Sequence, residues 1–429
     1  MDCKCFCRIM AACSLGNAVL LSGCTSLPPE AEAAIQPNAV IHTGIESKTH
    51  GFSIYGSRPT KSYVGIDGEW ALSPQASAAF AFEGTMSRAS ETFGKGEAPF
   101  DRSAEFSLML AGQTWRLGRQ NMLSKKGSLT ASIRSDAGGL WEDYPIKPID
   151  LNPIFSEKLS SALLWQSSSS EYPVRLQQGR FDGGRYSAAE WGWSDADLRS
   201  AILLENVRFS EEDDSLVKAG WSGTHYDDWG WSSAGLWRAD AASSMSSGRI
   251  ARGFKNDWSS LQLSYQAAWR EADAADPRTD EGFSSSGIVG DRASLWAIDG
   301  SVALSDDISI LGLMQRGLGV MPETPLVAAE DWGSVGSFND AADSWLFGLG
   351  YAMSFSDGST WTVTGSYMRS VLDGGFSDAA YSEWAAQSLM EMPLENGLSS
   401  YWGFGLGQGG MFEDTTDYLE AYVGIGYQF

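Results

Sequence analysis

The stretch Leu419-Glu420-Ala421-Tyr422-Val423-Gly424-Ile425-Gly426-Tyr427-Gln428-Phe429 closes the chain. Leu419, Ala421, Val423, Ile425, Tyr427 and Phe429 share one parity, while Glu420, Tyr422, Gly424, Gly426 and Gln428 share the other. Successive side chains of a strand point to opposite faces, so this is a strand with one apolar face and one face of small or polar residues. Working back from it, the same alternation recurs in pairs of segments joined by turn signals. Val64, Ile66, Gly68, Trp70 and Leu72 lead through Ser73-Pro74-Gln75 into Ala78, Phe80, Phe82, Gly84 and Met86. Trp296, Ile298, Gly300, Val302 and Leu304 lead through Ser305-Asp306-Asp307 into Ile308–Met314. Phe347 to Phe355 turns at Ser356-Asp357-Gly358-Ser359 into Trp361, Val363, Gly365 and Tyr367. Ala385–Leu394 turns at Glu395-Asn396-Gly397, a hairpin signal, into Leu398–Leu406.

The connections alternate in length. The turns hold two to four residues, and residues 271–291, 317–343, 371–381 and 408–417 read as long loops. If the last strand descends to one side of a membrane, the turns at 395–397, 356–359 and 305–307 all fall on that side. The upstream pattern is looser, with strands expected at 103–112, 114–122, 159–166, 172–181, 201–209, 216–225, 231–240 and 258–270. The reading is all-β, a transmembrane antiparallel β-barrel of about 16 strands, within roughly 14 to 18, over residues 51–429. Residues 123–158 read as one long outer loop or a loop folded into the lumen.

The aromatic-ended closing strand and the short-turn, long-loop asymmetry resemble Gram-negative outer-membrane β-barrels. That resemblance implies an outer-membrane location, periplasmic chaperones, and a barrel-insertion machinery that reads Tyr427 and Phe429. It also implies lipid and lipopolysaccharide as surroundings, and leaves a homo-oligomer open. The C-terminal segment is loosely similar to autotransporter barrels as well. Only about 26 residues separate the signal from the first strand expected, which leaves no room for a passenger.

Composition agrees. The chain carries 18 Trp, 14 Tyr and 19 Phe among 429 residues, with 43% hydrophobic residues and a mean hydropathy of −0.20. That excludes a bundle of membrane helices, whereas a barrel needs apolar residues only at every second position, plus aromatic girdles. The formal charge is −24, which argues against nucleic acid as a partner. The five cysteines are Cys3, Cys5, Cys7, Cys13 and Cys24, so the body of the chain has neither a disulfide framework nor a thiolate metal site.

Residues 1–23 read as a signal peptide, with Lys4 and Arg8 before the apolar stretch Ile9–Leu21. Leu21-Ser22-Gly23-Cys24 resembles a bacterial lipobox, which implies lipidation of Cys24. The rival is ordinary cleavage after Ala31-Glu32-Ala33. Residues 24–50, with Pro28, Pro29 and Pro37, read as a linker.

Polar residues on the inward parity are Arg116, Arg175, Lys218, Gln262 and Gln266. They would line a water-filled lumen, or fill an occluded one as a hydrogen-bonded network. Glu323, Glu330, Asp331, Asp340 and Asp343 make an acidic loop without a basic residue between 317 and 343. Such a loop is either a solvated surface or a loose site for Ca²⁺ or Mg²⁺, which take oxygen ligands. No other cofactor is implied. His225, in Ser222-Gly223-Thr224-His225-Tyr226-Asp227-Asp228, is placed at the outer end of a strand. Its spacing matches neither of the rim-hydrolase families known among such barrels, and no base or orienting group accompanies it. The expectation is therefore no catalysis. The first functional reading is a passive channel for small solutes with acidic extracellular loops. The alternative is a non-conducting structural or secretion-related barrel, with a rim hydrolase third.

Overall fold

The computed structural model describes residues 33–48, 51–55, 63–87, 92–93, 100, 103–123, 158–181, 183–209, 215–240, 244–271, 292–319, 341–374, 377–394, 398–411 and 414–428. Their regular structure is entirely β. The first part holds β1 (Ala33–Lys48), β2 (Gly51–Tyr55), β3 (Tyr63–Ser73), β4 (Ala76–Ser87), β5 (Thr92–Phe93), β6 (Ser103–Leu110) and β7 (Gln113–Asn121). Next come β8 (Lys158–Gln166), β9 (Val174–Phe181), β10 (Gly184–Ser194), β11 (Leu198–Phe209), β12 (Ser215–Asp227), β13 (Gly230–Asp240), β14 (Ser244–Lys255) and β15 (Ser259–Glu271). The last part holds β16 (Arg292–Ser305), β17 (Ile308–Leu318), β18 (Ala341–Ser354), β19 (Thr360–Gly374), β20 (Ser377–Pro393), β21 (Leu398–Met411) and β22 (Asp414–Gln428).

Every ladder is antiparallel, and from β6 to β22 each strand pairs with the next in sequence. β4 pairs with β3 on one side and β6 on the other. β1 bonds through Ala33–Val40 to β3 and through Val40–Lys48 to β22, so the first and last strands are neighbours. β2 and β5 are short additions to β1 and β4. The other twenty strands have eight residues or more, so the expectation of 14 to 18 is corrected upward. The three strands not foreseen are β1, β10 and β14. The segment read as a linker, residues 24–50, contains β1. The supposed loops 371–381 and 408–417 are largely strand: β19 and β20 run to Gly374 and from Ser377, and β21 and β22 to Met411 and from Asp414.

The turn chemistry explains the tight end of the sheet. Between β6 and β7, Ala111 and Gly112 take φ of 49° and 79°, the left-handed pair of a hairpin whose twist matches its strands. Between β18 and β19, the Ser359 backbone N–H donates to Asp357 at 2.9 Å, which holds the Asp357 carboxyl below the ordinary carboxylate range. The alternating strand directions put these turns, Asp228-Trp229, Asp306-Asp307 and the end of β22 at one end of the sheet. The long stretches outside the described residues, 124–157, 272–291 and 320–340, leave from the other.

The outward face is apolar, and the inward face buries polar and charged side chains beside an apolar cluster. On the outward face stand Leu204, Leu236, Ile250, Trp296, Leu349, Leu419, Val423 and Ile425, each half or more exposed. Buried on the inward face are Gln177, Glu190, Glu205, Lys218, Gln262, Gln266, Asp299, Gln315 and Glu383. Outward aromatics form two bands. Trp269, Trp296, Trp345, Phe347, Tyr367 and Trp384 lie toward the long connections, with Tyr265 against Trp296 at 4.4 Å and Trp345 stacked on Phe347 at 6.0 Å. Toward the short turns lie Trp115 and Trp165, Trp191 and Trp193, and Tyr351 against Trp361.

Candidate functional site

The inward face of β9 to β12 carries a chain of paired charges set by register. Arg175 and Glu190 stand directly opposite each other, as do Glu205 and Lys218. Arg175 Nη1 lies 3.6 Å from Glu190 Oε2, and Lys218 Nζ lies 3.6 Å from Glu205 Oε2. The Tyr186 hydroxyl donates to the other oxygen of Glu205 and accepts the Leu123 backbone N–H at 3.0 Å. Glu205 thereby answers both a phenol and an ammonium, which is what a carboxylate removed from bulk water requires.

The Leu123 contact fixes where the connection after β7 begins. Met122 and Leu123 are buried in one cluster with Leu159, Phe181, Tyr186, Leu203, Val207 and Leu295, all on the inward face. Of the two courses open to residues 123–158, the described start takes the inward one. Gln177 reinforces it, donating to Asn121 O at 2.9 Å and to Gln120 Oε1 at 3.2 Å.

All five lumen residues read from parity lie on the inward face: Arg175, Lys218, Gln262 and Gln266, and also Arg116, which is directly opposite buried Leu164. Arg116 lies on the face opposite Trp115 and Leu117 but is nearly half exposed, 3.8 Å from Glu105. Gln262 is opposite Asp299, and both of its amide atoms are buried without a hydrogen bond to a described residue. The inward carboxylates Glu190, Glu205, Asp299 and Glu383 were missed. Parity marks Glu205 clearly, because it sits between Leu204 and Asn206 and shares its face with Leu203 and Val207.

Trp237, also inward, lies flat over its cross-strand partner Gly220: a Cβ at Gly220 would come within 2.6 Å of the Trp237 ring. The inward side chains along β8 to β21 pack closely, and Leu203, Leu295, Leu346, Met368 and Tyr401 are almost fully buried.

Other sequence expectations land elsewhere. Asp343 is not a loop residue: it lies in β18, with Arg316 Nη2 at 3.1 Å from its Oδ2, and Arg316 also covers the Trp345 ring at 4.8 Å. Glu323, Glu330, Asp331, Asp340, Cys24 and Phe429 lie outside the described residues, and so do the side chains of Tyr427 and β1. His225 sits near the short-turn end of β12, not at the outer end. It is exposed opposite Leu198 and Ser232 and makes no side-chain hydrogen bond or ion pair to a described residue. Among the described residues, no cluster of His, Cys, Asp and Glu is arranged to hold a metal.

No family model matches the chain, and no curated protein matches it in sequence. Solved structures with a similar course include OccK2 (OpdF) of Pseudomonas aeruginosa in complex with glucuronate, at 12% identity and a TM-score of 0.49 over 93% of this chain and 98% of that one. The anion-selective porin of Comamonas acidovorans follows at 11% identity and a TM-score of 0.44, over 93% and 100%. OmpT of Vibrio cholerae, an outer membrane protein, gives 9% and 0.42, over 94% and 100%. At this level the likeness carries no argument about this chain, whose architecture rests on the register above.

Proposed function

We propose that this chain is a β-barrel of a Gram-negative outer membrane, closed by the β1–β22 ladder, and that it passes small polar solutes through a narrow lumen. The observation that carries the reading is the apolar outward face. A sheet in water buries leucine and exposes glutamine, whereas this one exposes Leu349, Ile250 and Val423 and buries Gln262, Gln315 and Lys218. Lipid outside, and polar partners within an interior of mixed character, make both choices favourable at once. No helix among the described residues is long and apolar enough to cross a membrane. The outward aromatic bands support the same placement, since indole and phenol rings settle at membrane interfaces. Gln262 supports a hydrated interior, because a buried amide without partners costs about 1–3 kcal/mol unless something polar reaches it.

Lipidation at Cys24 would add an anchor to a body already held by its strands. Metabolic labelling with a fatty-acid analogue tests it, and an unlabelled protein removes it.

Purified, heat-modifiable protein in a planar bilayer tests the channel. Stepwise conductance, small for a barrel of this size because the interior is packed, is the expected result. A second reading, a non-conducting barrel, is favoured by the near-complete burial of the inward side chains. A correctly folded protein that stays electrically silent selects it and removes the channel.

A further inference from the structure

We propose that Arg180, Arg185 and Arg208 form a docking site, on the outward face, for the phosphate of a lipid headgroup in the outer leaflet; the inference rests on the membrane-barrel reading above. Register makes the cluster. Arg185 is directly opposite Arg180 on β9 and directly opposite Arg208 on β11, so three guanidinium groups form one row across three adjacent strands. All three are exposed. Directly opposed like charges destabilise a sheet, and strands about 4.8 Å apart crowd these three into a width of about 10 Å. Two other outward arginines have an anion at hand: Arg252 grips Asp227 at 2.7 Å, and Arg316 grips Asp343. The guanidiniums of Arg180, Arg185 and Arg208 have no hydrogen bond or ion pair to a described residue.

Their level on the barrel identifies the anion. Arg185 lies six positions along β10 from Trp191 of the short-turn aromatic band. Tyr367 lies six positions along β19 from Trp361, one in each band. On β9 to β11 the arginine row therefore occupies the height that aromatics hold on β15 to β20. That is the headgroup level on the side opposite the short turns. Beneath the arginines comes an exposed polar row, Gln178, Ser187 and Asn206, and beneath that exposed Leu176 and Leu204. Guanidinium, then amide and hydroxyl, then hydrocarbon matches level by level the phosphate, the amide and hydroxyl groups, and the acyl chains of a phosphorylated glycolipid. Planar guanidiniums match phosphate oxygens with paired hydrogen bonds.

The test titrates folded full-length protein in zwitterionic detergent with bisphosphorylated lipid A, with the same lipid dephosphorylated, and with inorganic phosphate. Wild type is expected to bind the phosphorylated lipid about tenfold or more tighter than R180Q/R185Q/R208Q, since charge-assisted bonds to phosphate are lost. The dephosphorylated lipid should bind both proteins equally weakly. Equal binding of the phosphorylated lipid by wild type and variant overturns the proposal, and so does competition by inorganic phosphate at lipid-like concentrations. The triple Arg→Lys variant keeps the charges: it should retain part of the affinity, and its failure to differ from the Gln variant counts against a phosphate site. Glu211, Glu212, Asp213 and Asp214 follow β11 outside the described residues. Their joint replacement by Gln and Asn should leave lipid affinity within a few-fold of wild type; a large rise means that the loop holds the arginines, and overturns the site. A protein that never reaches a heat-modifiable membrane form fails the barrel reading instead.

Discussion

Lys218 and Glu205 show how a single register position determines the interior. Each is buried, and each is the other's directly opposed neighbour. A buried pair gains little net stability over an apolar pair, but breaking it strands a charge, at a cost of about 3–5 kcal/mol. Lys218→Met should therefore lower folding stability by about that amount, read as a shift in the urea midpoint for refolding into lipid vesicles. Adding Glu205→Gln to it should recover most of the loss, because the amide can still accept from the Tyr186 hydroxyl. If the single and double variants are equally destabilised, the two residues do not act as a pair. This scale also shows what was legible. Arg175, Lys218, Gln262 and Gln266 were found because a polar residue between two apolar ones in a strand declares its face. Glu190, which answers Arg175, and Tyr186, which donates to Glu205, were not, because partnership depends on register across strands, and both lie on β10, whose strand pattern was itself missed.

The missed strands share a physical cause. The outward face of β10 offers Arg185, Ser187 and Ala189 before its two tryptophans, and that of β14 offers Ser246, Gly248, Ile250, Arg252 and Phe254. Too few large apolar residues repeat for the period of two to show. β1 contains Pro37, which cannot donate to a ladder and reads as a breaker. Its pairing with β22 nevertheless determines whether the sheet has free edges at all, and a free edge within hydrocarbon would leave backbone groups unpaired. Thr43 and Ile425 are direct partners in that ladder. The body of the chain is free of cysteine, so Thr43→Cys with Ile425→Cys, with Cys3, Cys5, Cys7, Cys13 and Cys24 all replaced by Ser, introduces one testable pair. Oxidation of the folded protein should form the disulfide, detected as a mobility shift after denaturation, because opposed positions lie about 4.5–5.5 Å apart. Thr43→Cys with Leu419→Cys, several positions out of register, should stay reduced. Equal cross-linking of both pairs, or of neither, removes the β1–β22 closure.

For the whole molecule, the alternation at the C-terminus extends through twenty strands into one property, an apolar exterior around an interior that mixes polar and charged groups with an apolar cluster. A soluble protein with the same pattern would aggregate through patches such as Leu236, Ile250, Leu349 and Val423, each more than half exposed. The membrane reading makes a quantitative claim about depth. Leu349 lies midway along the outward face of β18, with Trp345 and Phe347 on one side and Tyr351 and Met353 on the other. Leu304 is equally outward but ends β16, beside the Asp306-Asp307 turn. In water, arginine at either place would be close to neutral, since both side chains already face solvent. In a bilayer, Leu349→Arg should cost about 2–4 kcal/mol and Leu304→Arg about 0–1 kcal/mol, because the penalty for a charge falls from midplane to interface. Reversible urea unfolding from lipid vesicles measures both. Gln315→Arg, on the inward face of β17, serves as the control for overpacking, and its cost should not change with bilayer thickness. The Leu349→Arg penalty should persist in every bilayer and shrink as the acyl chains shorten. Equal, small effects at residues 349 and 304 would mean that the outward face meets water, and the barrel would have no membrane to span.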